Sequence, residues 1–375
     1  MENKIKIKLL LLSGGSLVGR NILDSLSQRR SSFEIIAFNS LAKEPSLFEY
    51  DKVYLSPPLV EKPQEFREFF EEIIRDEKPD LVIPCRDEDV AFLSKFKEVE
   101  PSFSSRLFCG PDSIAHCFLD KWSSWEFSQE FGLPFAPTIN SDASPQIMNA
   151  FLEVEGLPLI AKPRKGFGSL GVFLITRDTQ LKQVLERDDY VIQKYLGDPE
   201  RVSNYFTQLA DSGIPLFHTF EETKISVQSS IGPDGEFGGM IITEHIMKQG
   251  ISARVDLCED EKVHQLAKNW VDKIAGAGWT GPINIQCQRD PSGQVMIYEF
   301  NGRFTGATSA RFWFGFDEIG LALKLWLGVN LPCSSIEGLH RSVIRIPGSK
   351  PINTGYVKEL NDFRVWNHPS AVRAI

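Results

Sequence analysis

The chain has 375 residues, 42% hydrophobic and 24% charged, an ordinary globular composition that is long for one core and suits two or three domains. The 41 basic residues against 50 acidic ones give a net charge of −9 with no block of Lys and Arg, which argues against a nucleic-acid groove. No apolar run approaches the roughly 20 residues that span a bilayer, and the six cysteines (85, 109, 117, 258, 287 and 333) form no C-x-x-C pair, which reads as reduced thiols in a cytoplasmic protein.

In chain order, "IKIKLLLLS" followed by "GGSLVGRNILDSL" predicts strand, glycine turn and helix. The apolar run Leu9–Leu12 turns at once into Ser13-Gly14-Gly15, so a buried parallel strand is expected there instead of a secretory leader. "FEIIAFNS" and "VYLSPP" are further strands, "PQEFREFFEEIIRDEKP" an amphipathic helix, "DLVIPC" a fourth strand and "DEDVAFLSKFKEVE" a helix. This alternation predicts a Rossmann-like parallel α/β domain over residues 1–113. In such sheets ligands sit at the carboxyl ends of strands, which puts Ser13 to Ser16 and Arg86-Asp87 on one rim, with Ser13 and Arg86 as candidate substrate contacts. A close strand–helix turn without a ligand is the competing reading of Gly14-Gly15.

From "DSIAHCFLDKWSSWEFSQEFGLPFAPT" onward the pattern changes to helix, strand "LPLIAKP", glycine loop, strand "GVFLIT", helix "DTQLKQVLE" and strand "YVIQKYL". An irregular stretch (197–221) precedes the strands "TKISVQSSI" and "FGGMIITEHI", the helix "DEKVHQLAKNWVDKIAGAG", the hairpin "GPINIQCQRD-PSGQ-VMIYEFNGR" and a helix near "FDEIGLALKLWLG". The tail from Cys333 reads as strand-rich.

Residues 166–171, "GFGSLG", spell G-x-G-x-x-G. A dinucleotide fingerprint must open a helix, yet Gly171 leads into the strand-forming Val172-Phe173-Leu174-Ile175, and no Gly-Lys-Ser/Thr follows to make a Walker loop. What remains is a strand–loop–strand hairpin with Lys162 leaving the first strand and Lys165 at the loop start. Such a loop can fold backbone N–H groups over phosphates; a hairpin with incidental lysines is the alternative. In the later hairpin, Glu299, Asn301 and Arg303 are two apart and share a face, with Gln286 on the partner strand. One carboxylate and two amide oxygens suit Mg²⁺, and an arginine beside them would stabilise a transferring phosphoryl group. A solvated polar edge is the competing reading.

Taken together, "DK" at 120–121 before a helix ending in "GLPFAPT", "LIAKPRKGFGSLGV", "VIQKYL-G" and "NIQ…YEFNGR" resemble the ATP-grasp superfamily, in its carbamoyl-phosphate-synthase-like and carboxylate–amine ligase branch, over about residues 120–328. The resemblance implies a two-lobed ATP-grasp domain over 114–332 (small lobe about 114–192, large lobe about 193–332, with 197–221 inserted) and an extension over 333–375. It implies that Lys121 and Lys162 contact ATP phosphates and that the loop with Lys165, Gly166, Gly168, Ser169 and Gly171 closes over them. The hinge strand would offer Gln193, Lys194 and Tyr195 to adenine, Lys194 standing where an acid is common. Glu222 would bind ribose, with Glu221 or Glu200 as rivals, and Gln286, Glu299 and Asn301 would hold Mg²⁺, with Mn²⁺ as the other candidate metal. Arg303 would act with Lys162 on the transferred phosphoryl group. In the metal hairpin Gly302 stands where a proline is frequent.

The implied reaction is ATP-dependent activation of a small carboxylate to an acyl phosphate, release of ADP, and attack by an amine to form an amide. A homodimer is the assembly the resemblance suggests. The rival reading is a nucleotide-binding relative with a regulatory role and no turnover; an oxidoreductase using "SGGSLVG" lacks the glycine spacing. Arg254 and Arg311 are candidates for a substrate carboxylate, each with a structural ion pair as the alternative. His245 reads as a core or edge residue ahead of a base, and Phe312-Trp313-Phe314 as core packing ahead of a substrate wall.

Overall fold

The computed structural model describes residues 6–166, 170–213, 223–248, 251–331, 340–346 and 349–370. The N-terminal part comprises β1 (Ile7–Leu12), α1 (Leu17–Leu26), β2 (Phe33–Asn39), β3 (Lys52–Leu55), α2 (Pro63–Glu77), β4 (Leu81–Pro84) and α3 (Asp87–Val99). The four strands are parallel in the order β3-β2-β1-β4. Apolar side chains on both faces explain why they are near-continuous hydrophobic runs. Leu9, Leu11, Ile35 and Ile83 pack into one core, and Leu10, Leu12, Ile36 and Phe38 into another under Phe66, Phe70 and Leu93. The turn after β1 is a close approach: a Cβ on Gly19 would sit 2.1 Å from the Gly14 carbonyl oxygen, so these glycines answer to packing.

Next come α4 (Asp112–Leu119), α5 (Lys121–Glu130), β5 (Thr138–Asn140), α6 (Pro145–Glu155), β6 (Leu159–Pro163), β7 (Phe173–Ile175), α7 (Asp178–Leu185) and β8 (Tyr190–Lys194). The strands form an antiparallel sheet in the order β5-β8-β6-β7. The glycine segment therefore joins two antiparallel strands and opens no helix. The stretch expected to be irregular instead holds α8 (Pro199–Ser212), started by the Asp198 side chain on the Glu200 N–H with Pro199 in the first turn.

The remaining elements are β9 (Lys224–Ile231), β10 (Phe237–Lys248), β11 (Ile251–Leu257), α9 (Glu261–Gly276), β12 (Gly281–Arg289), β13 (Val295–Asn301), α10 (Thr308–Trp313), α11 (Glu318–Leu327), β14 (Ser342–Ile344), α12 (Thr354–Phe363) and β15 (Val365–Asn367). Six strands make an antiparallel sheet in the order β13-β12-β9-β10-β11-β14. Ile225, Val227, Ile231, Ile283, Ile285 and Cys287 turn one face into the core against Val263, Ala267, Trp270 and Ile274 of α9. Alternation then sends Lys224, Ser226, Gln228, Asn284 and Gln286 to the opposite, polar face. The tail differs from the strand-rich expectation: its described residues hold the ten-residue α12, capped by Asn353, and two three-residue strands. One of these, β15, joins the N-terminal sheet antiparallel to β3.

Candidate active site

Lys162 faces away from the small-sheet core that Leu159 and Ala161 enter. Its ammonium donates to Gln193 Oε1 at 2.8 Å and to the Tyr298 carbonyl at 3.1 Å, so it bridges the small sheet and β13. Gln193 is held in turn by donating to Thr138 Oγ1 at 2.8 Å. Burial lowers the Lys162 pKa to about 7, with Lys121 and Lys224 pushing the same way and Glu299 opposing. Lys121 is the first residue of α5, and Asp120 caps that helix through the Trp122 and Ser123 N–H groups. Asp120 also takes a bidentate contact from Arg164, at 3.0 and 2.8 Å to one carboxylate oxygen. The Lys121 N–H donates to the Arg164 carbonyl and its ammonium to the Gly166 carbonyl, so α5 and the start of the glycine loop are tied together. Asp120 breaks what reads as one helix in the sequence into α4 and α5.

On the large sheet, Gln286 lies opposite Glu299 and Asn284 opposite Asn301. The register then slips between Gln286 and Cys287, which pairs with Ile297. Tyr298 is the extra residue of this bulge, and it lets Ile297 and Phe300 both enter the core while Tyr298 and Glu299 stay with Gln286. The Tyr298 hydroxyl donates to Gln286 Oε1 at 3.0 Å. Asn284 donates to Ser226 Oγ and to the Val227 carbonyl, leaving its buried Oδ1 without a partner. A buried bare amide oxygen beside Glu299 and Gln286 is a donor set that fits a hard cation sharing phosphate oxygens. Among the described residues no group of three or more His, Cys, Asp or Glu side chains could hold a metal without such help.

Arg303 donates to Asn301 Oδ1 at 3.0 Å and to Asp87 Oδ2 at 2.8 Å. Asp87 opens α3 beside Arg86, so the carboxyl-end rim of the N-terminal sheet meets the hairpin. Ser13 is on that rim and donates to Asp89, a buried carboxyl raised to about 7 by burial despite donors from Ser13, Arg86 and Cys85. Arg86 itself faces Glu44 at 3.7 Å.

The structure corrects the expectation for Arg311. Its side chain is fully buried, paired with Glu318 at 3.1 Å and donating to Gln228 and Thr305, so no open guanidinium is left for a substrate carboxylate. Arg254 lies on β11, exposed, and is paired with Asp256 at 2.8 Å. His245 is buried between Thr243 at 2.9 Å and Ser252 at 2.8 Å; burial, with Arg311, Arg345 and Lys224, takes its pKa down to about 3. Lys194 faces Glu155 and Asp290, while Lys165 is exposed at the loop start. Gly171 has φ +72° and presents its carbonyl to the Tyr190 hydroxyl. Glu200 is exposed in the first turn of α8; Glu221, Glu222, Gly168 and Ser169 lie outside the described residues. The sequence reading missed Asn284 and Lys224, for which alternation in "INIQ" and "KISVQ" was the signal; it put Asp87 on the rim without the contact to Arg303 that the structure shows.

No family model matches this chain, and no curated protein matches it in sequence. Solved structures do. The N5-carboxyaminoimidazole synthetase from Staphylococcus aureus, complexed with ADP, matches with a TM-score of 0.64 at 16% identity over 88% of this chain and 80% of that one. The biotin carboxylase–β-γ-ATP complex from Campylobacter jejuni gives 0.64 at 15% over 90% and 74%. The N5-carboxyaminoimidazole ribonucleotide synthetase from Thermotoga maritima gives 0.61 at 16% over 89% and 78%. The fold of this chain is thus the ATP-grasp fold with a preceding α/β unit.

Proposed function

We propose that this chain is an ATP-dependent carboxylate–amine ligase that forms an amide through an acyl phosphate and releases ADP and phosphate. The observation that carries the reading is the convergence of Lys121, Lys162, Glu299, Asn301 and Arg303 between the two sheets. Lys121 and Lys162 supply fixed positive charge to a phosphate chain, Lys162 from a site where water screens it little. Glu299, Gln286 and Asn301, with Asn284 beside them, would hold Mg²⁺, which when bound neutralises charge between phosphate oxygens. Arg303 is oriented by Asp87 and Asn301 and would steady the phosphoryl group as it passes to the substrate carboxylate. Gln193, Lys194 and Tyr195 supply the adenine edge. The rim at Ser13 and Arg86 faces this space and is the proposed seat of the acid or amine. The proposed division is an α/β unit over 1–113, an ATP-grasp unit over 114–332 and a tail over 333–375.

The ADP-bound and nucleotide-bound relatives support this reading through their shared fold. A nucleotide-binding role without turnover is the second reading, favoured by one observation: Glu299 is the single carboxylate in the paired set Asn284, Gln286, Glu299, Asn301. The purified chain incubated with Mg-ATP, pooled amino acids and small carboxylates separates the two. ADP together with a new mass equal to two pool members less water establishes the ligase. Nucleotide binding with intact ATP across the pool supports the second reading.

A further inference from the structure

Asp89 lies in the first turn of α3, and the reaction described above gives its carboxyl no task. It is 2% exposed, and its two oxygens are used differently. Oδ2 accepts from the Cys85 N–H at 3.2 Å and the Arg86 N–H at 2.9 Å, which closes the start of the helix. Oδ1 accepts from the Ser13 hydroxyl at 3.0 Å. Ser13 is half-buried at the rim, so among the described residues its hydroxyl is the polar link from Oδ1 to the rim surface. Its backbone has φ +50°, a left-handed conformation that is costly for a residue with a Cβ. The turn that imposes it is held by the Ser16 N–H on the Ser13 carbonyl and the Tyr50 hydroxyl on the Gly14 carbonyl.

A buried carboxylate whose outward contact is a hydroxyl can exchange a proton through that hydroxyl. Of the two substrates in the proposed reaction, the acid arrives ionised and needs no base. The amine arrives as an ammonium, whose nitrogen cannot attack until a proton has left. Asp87, Glu88 and Asp89 open α3, and Glu44 faces Arg86 at 3.7 Å. Carboxylates thus outnumber the cations Arg86 and Arg303 on this rim, which favours an ammonium there. Asp87 reaches Arg303 at 2.8 Å, so the rim adjoins the place where the acyl phosphate would form. Burial holds Asp89 at about 7, where it can both accept and return a proton at neutral pH. The neighbouring Cys85 thiol and Tyr50 phenol are pushed by burial well above their ordinary values and stay protonated.

We infer that Ser13 and Asp89 form a proton relay that deprotonates the attacking amine, which makes the rim the amine's seat. This rests on the ligase reading and adds to it the acceptor for the amine's proton. One proton passes from the ammonium nitrogen to Ser13 Oγ while the Ser13 proton passes to Asp89 Oδ1. The freed lone pair then forms the C–N bond to the acyl carbon. The bond from that carbon to the phosphate oxygen breaks, and phosphate leaves with its electron pair and the surplus N–H proton. Asp89 returns its own proton to solvent through Ser13 once the amide has gone.

The full chain with Mg-ATP, pooled small carboxylates and either pooled amino acids or hydroxylamine tests this. Hydroxylamine is already neutral at pH 7 and captures an acyl phosphate as a hydroxamate without help from a base. Lys162 and Arg303 act before the two paths part, so the ratio of amide to hydroxamate reports the rim alone. Asp89→Asn keeps the shape and an amide oxygen for the Cys85 and Arg86 N–H groups, but takes up no proton. Ser13→Ala and Asp89→Asn should each lower the ratio about a hundredfold or more. Since the relay needs Asp89 ionised, the wild type's lead over Asp89→Asn should grow as pH rises through about 7 and then level off. A merely structural role would not give that profile. Both products falling together, or a lead that ignores pH, overturns the relay and leaves the ligase reading standing. Carbon NMR that finds Asp89 titrating in the ordinary range, near about 4, does the same. Wild-type protein that forms neither product overturns both.

Discussion

Lys162 carries the site's electrostatic tuning in one side chain. Its pKa of about 7 when folded lies below the 10.5 of a free lysine. Between those values the unfolded chain binds a proton that the folded chain does not, so stability rises with pH from about 7 toward 10.5. Below pH 7 the buried charge exacts its full cost. Lys162→Met is therefore expected to be more stable than wild type at pH 6, by on the order of a few kcal/mol, with the lead shrinking as the pH climbs. Denaturant melts at pH 6 and pH 9.5 would show it, and an equal gap at both would refute the burial argument. A bound polyanion reverses the tendency by recharging the lysine. ATP binding at pH 8 should then draw protons from solution, seen as calorimetric heats that vary with the buffer's ionisation enthalpy. Arg303 makes the complementary case, since it has Asp87 and Asn301 to hold it in place. Arg303→Ala should lower kcat about a hundred- to a thousandfold while ATP affinity changes far less, as befits a group that acts on charge in transit.

Among the elements, α5 shows how a site residue depends on local capping. Asp120 caps it and at the same time clamps Arg164, and the helix begins at Lys121. Its carboxyl is held below the usual range, burial being outweighed by Arg164 and the Trp122 and Ser123 N–H groups. This stabilising contribution is present at neutral pH and disappears as pH falls through the depressed pKa. Asp120→Ala should cost about 1–3 kcal/mol by chemical melts and, by freeing both α5 and Arg164, weaken ATP binding as well. A loss of stability with unchanged ATP affinity would separate the cap from the site. The same elements show what the sequence made legible. "LIAKPRKGFGSLGV" and the "DPSG" hairpin were readable because strand alternation and turn residues are local signals. The Tyr298 bulge was not, because an extra residue appears only once Ile297 and Phe300 must both reach the core. Nor was the interior fate of Arg311: one of its partners, Gln228, lies 83 residues away, and "TSARFWF" read alone offers a basic residue for a substrate. Helix α8 has a local start signal in Asp198-Pro199-Glu200, a capping side chain followed by proline in the first turn.

At the scale of the whole molecule, the two ends of the chain are welded into one sheet. Strand β15 covers the edge of β3, and Leu55 N–H donates to the Arg364 carbonyl at 2.8 Å across 309 residues. No local pattern announces a pairing over that distance, so the tail's role was invisible in sequence. Trp366 on that strand is buried to 1% exposure in the N-terminal core with Leu360 of α12, and it meets Phe48 edge-on at 5.1 Å. The same core takes in Phe304, Ile319 and Leu323 from the large lobe. The tail therefore helps fix the N-terminal sheet against the lobe whose Arg303 reaches Asp87. Trp366→Ala empties a large volume there and should cost about 3–5 kcal/mol. A chain ending at residue 352 loses α12 and β15 together and bares the β3 edge, so it should both melt lower and self-associate. The residues of the candidate site remain in that shortened chain, which makes the comparison informative. If it turned over as the full chain does while unfolding at a lower temperature, the tail would be a staple for the N-terminal sheet alone. If turnover fell with the Asp87–Arg303 contact while ATP affinity held, as the shared core implies, Asp87→Asn in the full-length chain should reproduce that loss without the drop in melting temperature.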